Sequence, residues 1–127
     1  MKRIFPPLAI FFLGLGLGTS ISLVGAAEDP VKPAYMVVSS ERHPGADYGP
    51  YSSAAGPLAR EAGMQYLAPA QEPVVLEGEW PFKNMTLEVY PSMQALTDFW
   101  YSDSYQAAKK LREGLATVNF IVAVEGQ

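Results

Sequence analysis

The residues from Tyr90 to Gly114 constrain this chain more than any others, because two helix-start signals lie within them. Tyr90-Pro91 ends an extended run, and Ser92 follows as a cap whose hydroxyl can accept from a first-turn amide that has no helical partner. Met93, Leu96, Phe99 and Trp100 then recur on one helical face. Ser102-Asp103-Ser104 forms a second capping cluster and restarts the helix, so that Tyr105, Ala108, Leu111, Arg112 and Leu115 make the next inward stripe before Gly114 closes it. Two such pieces must lay their stripes on another layer, and the neighbouring segments read as a small sheet.

Ala34 to Glu41 is predicted to be a strand, with Tyr35, Val37 and Ser39 on one face and Met36, Val38 and Ser40 on the other, broken by His43-Pro44-Gly45. From Asp47 the spacing turns helical through Tyr48, Tyr51, Ala55, Leu58 and Ala62. Gly49-Pro50 and Gly56-Pro57 interrupt it, and an interior proline costs ~3 kcal/mol and one backbone bond. A kinked or two-part helix ended by Gly63 is expected. Met64 to Ala68 reads as a short strand, Pro69 to Pro73 as a loop, and Val74-Val75-Leu76 as extended chain before the turn at Glu77-Gly78-Glu79-Trp80-Pro81. Asn84 to Tyr90 alternates, Met85, Leu87 and Val89 against Thr86, Glu88 and Tyr90. Val118, Phe120, Val122 and Val124 alternate with Asn119, Ile121, Ala123 and Glu125 in a strand apolar enough to be placed centrally.

The order strand, helix, strand, strand, helix, strand is that of an α+β, ferredoxin-like split βαβ domain, an antiparallel sheet with helices on one face. The other face carries apolar residues and needs a cover, for which a second subunit is the simplest choice. A homodimer is therefore expected.

Residues 1–27 have the layout of a secretory signal peptide: Lys2 and Arg3, an apolar run from Ile4 to Leu17, and small residues at Gly25-Ala26-Ala27 where cleavage fits. The alternative is an uncleaved anchor, weakened by Thr19, Ser20 and Ser22. Export to the periplasm or medium is the expectation, with 28–33, containing Pro30 and Pro33, as a linker and 34–127 as the folded domain. Without Lys2 and Arg3 the balance is 7 basic against 13 acidic groups, which argues against nucleic-acid or anionic-membrane partners. The absence of cysteine excludes disulfides, thiolate metal sites and a cysteine-borne lipid.

From Ala34 to Gly126 the sequence resembles the bacterial domain of unknown function numbered 1330, of the dimeric α+β barrel superfamily. The residues carrying the likeness are Leu76-Glu77-Gly78-Glu79-Trp80-Pro81, Tyr90-Pro91-Ser92-Met93, Phe99-Trp100-Tyr101-Ser102-Asp103-Ser104-Tyr105-Gln106, and Arg112. Against the family pattern, Phe99-Trp100 replaces Trp-Tyr, Asp103-Ser104 replaces Pro-Glu, Met64 replaces a second glycine, and Val89 stands at a glutamate position. The resemblance implies the fold and the dimer; the family carries no assigned reaction, and its wider superfamily implies cofactor-independent oxygenase or isomerase chemistry.

His43 is the single histidine, and no His or carboxylate cluster has ligand spacing, so no metal site is expected. No glycine-rich phosphate loop or nucleophile elbow is present, and no cofactor is expected. His43, after the first strand, is a candidate proton shuttle or a solvated turn residue. Tyr48, Tyr51, Trp100 and Tyr105 either line a pocket for an aromatic or apolar ligand or pack the helices onto the sheet. Arg112, on an inward stripe, requires an anion, either a ligand carboxylate or a protein carboxylate such as Glu88. Glu77 and Glu79 read as solvated turn residues. Two functions follow: binding of a small apolar or aromatic molecule, with weak catalytic candidates in His43, Glu88 and Arg112, or a non-catalytic module in which the aromatics and Arg112 serve core and dimer interface.

Overall fold

A computed structural model describes Gly25 and residues 28–127; the leader reading lies, Gly25 apart, outside the described residues. The elements are β1 (Ala34–Arg42), α1 (Gly49–Glu61), β2 (Gln65–Gln71), β3 (Met85–Tyr90), α2 (Met93–Tyr101), α3 (Asp103–Lys110) and β4 (Ala116–Glu125). The four strands form one antiparallel sheet in the order β2-β3-β1-β4, the split βαβ arrangement expected from the element order. Among the described residues no helix is long and apolar enough to cross a membrane.

The caps behave as their sequence predicts. Ser92 Oγ accepts from the Ala95 amide at 3.0 Å, and Ser102 Oγ accepts from the Tyr105 amide at 3.1 Å while donating to the Phe99 carbonyl at 2.8 Å. One hydroxyl thus closes α2 and opens α3. Leu96, Phe99, Tyr105 and Ala108 are buried and join Ala34, Met36 and Tyr90 of the sheet and Ala55 and Ala59 of α1 in the core.

Helix α1 is a single helix rather than two pieces. Pro50 falls in its first turn, where a missing amide costs nothing, and only Pro57 lies inside. It ends in a Schellman motif, Met64 N–H to the Ala59 carbonyl at 3.0 Å and Gly63 N–H to that of Arg60 at 2.9 Å, with Gly63 at φ +83°.

Four expectations are corrected. β4 is an edge strand paired with β1 alone, its apolar residues serving a half-open sheet face instead of a central position. β2 runs on through Pro69 to Gln71, which an edge strand with shifted register tolerates because one row of amides faces away from the sheet. Val74 to Leu76 forms no strand. Helix α3 stops at Lys110, leaving Leu111 exposed and Arg112 in the turn that follows, where i to i−3 bonds tighten the chain before Gly114 at φ +74°.

Paired residues in antiparallel strands point to one face. Met36 pairs with Glu88 and Ala123, and Val38 with Thr86 and Ile121, all toward the helices; Val37 pairs with Leu87 and Val122, and Tyr35 with Val89 and Val124, toward the open face. The register shifts between Ser39 and Ser40, so Ser39 meets Phe120 while Ser40 meets Val118. This bulge turns Val118 to the helix side and breaks the uniform alternation expected for β4. On the open face Phe120, Phe82 and Trp80 form an edge-to-face triangle with centroids 5.3 to 5.9 Å apart. Ser39, fully buried, donates to the Asn84 carbonyl at 2.8 Å and accepts from Asn119 at 3.1 Å.

Candidate functional site

The helices do not close completely on the sheet. A cleft of about 730 Å³ lies between them, with Met36, Val38 and Ile121 as its floor and rings of α1, α2 and α3 as its wall. That volume falls within the range of small-molecule sites, ~300 to 1,000 Å³.

Five sequence candidates, Tyr48, Tyr51, Trp100, Tyr105 and Arg112, line this cleft together, and so does Glu88. Tyr51 of α1 and Tyr105 of α3 meet hydroxyl to hydroxyl at 3.2 Å. Burial, then the Tyr105 contact, raises the Tyr51 phenol well above its ordinary value, so it stays a protonated donor. Tyr105 also packs on Phe99, centroids 4.4 Å apart, and on Trp100, 5.1 Å apart. The aromatic candidates therefore both build the core and face the cleft.

Glu88 is buried on the helix-facing side of β3. Burial raises its carboxyl above the usual range, and the Tyr90 hydroxyl, donating to Oε2 at 3.3 Å, partly offsets this. Burial likewise pushes the Tyr90 phenol far up, reinforced by Glu88. The pair is a protonatable carboxyl held by a phenol that does not ionise, an arrangement suited to giving or taking a proton.

Arg112 places its guanidinium over the Tyr51 ring, 5.6 Å from the centroid, and its buried Nε has no protein hydrogen-bond partner. Of the two anions open to Arg112, the protein carboxylate Glu88 does not pair with it: the single salt bridge among the described residues joins Lys83 to Glu41 at 3.2 Å. Arg112 comes from the turn after α3 and Glu88 from mid-strand in β3.

His43 lies outside the cleft. Its Nδ1 is 2.9 Å from the Gly114 carbonyl and its Nε2 3.0 Å from the Thr117 hydroxyl. A carbonyl only accepts, so Nδ1 carries a proton and donates to Gly114, while Nε2 and the Thr117 hydroxyl share the second hydrogen bond. The ring staples the end of β1 to the turn before β4. Glu77 and Glu79 are exposed and also lie outside the cleft. Among the described residues no group of three His, Asp or Glu side chains converges as metal ligands would.

The site contains residues the sequence reading passed over. Arg42 continues the helix-facing alternation of β1 and stacks on Tyr48 at 4.3 Å, while Arg60 lines the cleft from α1 and Tyr66 from β2, opposite Glu88. Extending the alternation of β1 by one step would have found Arg42; Arg60 lies off the apolar stripe and gave no signal.

The profile of the family described as Domain of unknown function (DUF1330) matches residues 33–127. The chain belongs to the DUF1330 family. No curated protein matches it. Among solved structures, the DUF1330 chain is similar to RPA0582, a protein of unknown function from Rhodopseudomonas palustris, at 22% identity and TM-score 0.56 over 78% of this chain and 84% of that one. The methylated form of RPA0582 gives 20% identity and TM-score 0.59 over 80% and 85%. A weaker likeness, 12% identity and TM-score 0.44 over 76% and 95%, is to SnoaB, a cofactor-independent oxygenase from Streptomyces nogalater. The RPA0582 comparison agrees with the ferredoxin-like architecture built above.

Proposed function

We propose that this DUF1330 protein is an exported homodimer whose cleft binds a small, largely apolar or aromatic molecule. The observation that carries the reading is the convergence of Tyr51, Trp100, Tyr105, Arg112 and Glu88 on one cleft between helices and sheet. These side chains touch one another and still leave a cleft of about 730 Å³ open beside them, space that a purely packing role would close. Glu88, hydrogen-bonded to Tyr90, supplies the acid–base group for cofactor-free proton transfer of the kind an isomerase uses. The basic, apolar and small-residue succession of 1–27 supports export.

Dimerisation is supported by the open sheet face, where Val122 and Val124 remain 49% and 58% exposed beside Val37, Leu87 and Val89, and by Leu76, 94% exposed in the β2–β3 connection. A second copy laid on this face would remove that apolar surface from water at ~25 cal/mol per Å².

Native mass spectrometry of the full chain, expressed in a bacterium with its own leader, tests the reading. A dimer of chains beginning near Glu28 and carrying a discrete extra mass is expected. Ligand-free dimers would favour the packing-only reading, and monomers would remove the interface.

A further inference from the structure

Resting on that reading, we propose that the ligand is an organic anion, an aromatic carboxylate whose ring system lies among Phe99, Trp100 and Ile121 and whose carboxylate is held by Arg112. The cleft gathers positive charge in an acidic chain. It carries 13 acidic against 9 basic residues, yet Arg42, Arg60 and Arg112, every arginine outside the leader, line the same cleft. None of them has a carboxylate within salt-bridge distance, since the single ion pair among the described residues is Lys83 with Glu41. Glu88 is the sole acid in the lining, and its burial without a cation favours the neutral form.

The three guanidiniums differ in depth. Arg42 and Arg60 are exposed and form a rim, while Arg112 is half-buried and reaches inward with an unpartnered Nε. Arg112 lies over the Tyr51 ring, and its Nε has no protein partner, so its planar fork has an N–H to offer toward the cleft, the group that takes a carboxylate with two parallel donors. The Tyr51 and Tyr105 hydroxyls share one hydrogen bond, so one of their two protons remains available to a further acceptor. A carboxylate oxygen fits that donor, and the rings beside it fit an aromatic body. The rim arginines raise the local concentration of an anion before it reaches Arg112.

The test compares 2-naphthoate with its neutral isostere 2-naphthamide by fluorescence titration of the full chain. The native protein is expected to prefer naphthoate by about tenfold or more, the range of a charge-assisted hydrogen bond. Arg112→Met keeps the apolar stem; it should abolish the preference while leaving naphthamide affinity within about twofold. Arg42→Met, at the exposed rim and without risk to the fold, should narrow the preference by a few fold and weaken its salt dependence. Equal affinities in the native protein, or an Arg112→Met chain that keeps its preference, would overturn the proposal while leaving the cleft reading intact. Failure of both probes to bind would overturn both.

Discussion

The Tyr90 hydroxyl donates to Glu88 Oε2 at 3.3 Å, two residues back on the same face of β3, and both side chains are buried against the helices. The contact gives the buried carboxyl one donor and no counter-charge. Tyr66 of β2 lies across the pair, and Met36 of β1 closes the other side. At low pH the folded and unfolded chains both hold the Glu88 proton. As pH rises past the ordinary carboxylate range the unfolded chain releases it while the folded chain retains it, so stability falls until the raised folded pKa is passed and stays lower above it.

Glu88→Gln keeps an acceptor for Tyr90 and removes that ionisation. The variant is expected to lose part of the wild-type decline in stability above the carboxylate range, each unit of pKa elevation being worth about 1.4 kcal/mol. Urea titrations at several pH values check this; parallel pH profiles for the two proteins would show that Glu88 ionises normally.

The Tyr51–Tyr105 contact makes a second test. Tyr51→Phe leaves the buried Tyr105 hydroxyl without its partner and should cost ~1 kcal/mol or slightly more. Because both single changes break the same bond, the double Phe variant should cost less than the sum of the two. A strictly additive cycle would mean the bond contributes nothing.

Gly63 terminates α1 at φ +83°, and a Cβ there would lie 2.6 Å from Cγ of Pro91, so Gly63→Ala meets both backbone strain and a clash. A loss of at least ~1 to 2 kcal/mol is expected from the left-handed conformation alone. Gly45, also at positive φ but with nothing within 4 Å of a built Cβ, serves as the control and should lose less.

Val122→Lys tests the open sheet face, since it places a charge within the exposed apolar surface assigned to the second subunit. Sedimentation should show a monomer with cleft and helices intact by circular dichroism. A variant that remains a dimer would move the interface elsewhere.

Much of this was legible in the sequence because local rules decided it. Ser92 and Ser102 cap where hydroxyl chemistry requires, the alternation of Asn84 to Tyr90 puts Glu88 and Tyr90 on one face, and the element order fixes the split βαβ arrangement. What escaped depended on long-range pairing. The bulge at Ser39 and Ser40 that reverses Val118, the edge position of β4 and the end of α3 before Leu111 arise from register and turn closure between distant segments. The cleft's aromatic and Arg112 lining was legible as inward residues, whereas Arg60 was not, and the choice between Glu88 and a ligand carboxylate for Arg112 was not legible, because a shared inward face does not set distance.

The central claim, a small molecule bound between helices and sheet, is tested most directly by the methionine methyl groups. Met36 and Met64 line the cleft, whereas Met85 lies on the open-face side of β3 and Met93 on α2 outside the lining. In methyl-labelled protein titrated with 2-naphthoate, the Met36 and Met64 signals should shift saturably and together while Met85 stays in place. Unmoved Met36 and Met64 signals, or shifts centred on Met85, would contradict binding in this cleft.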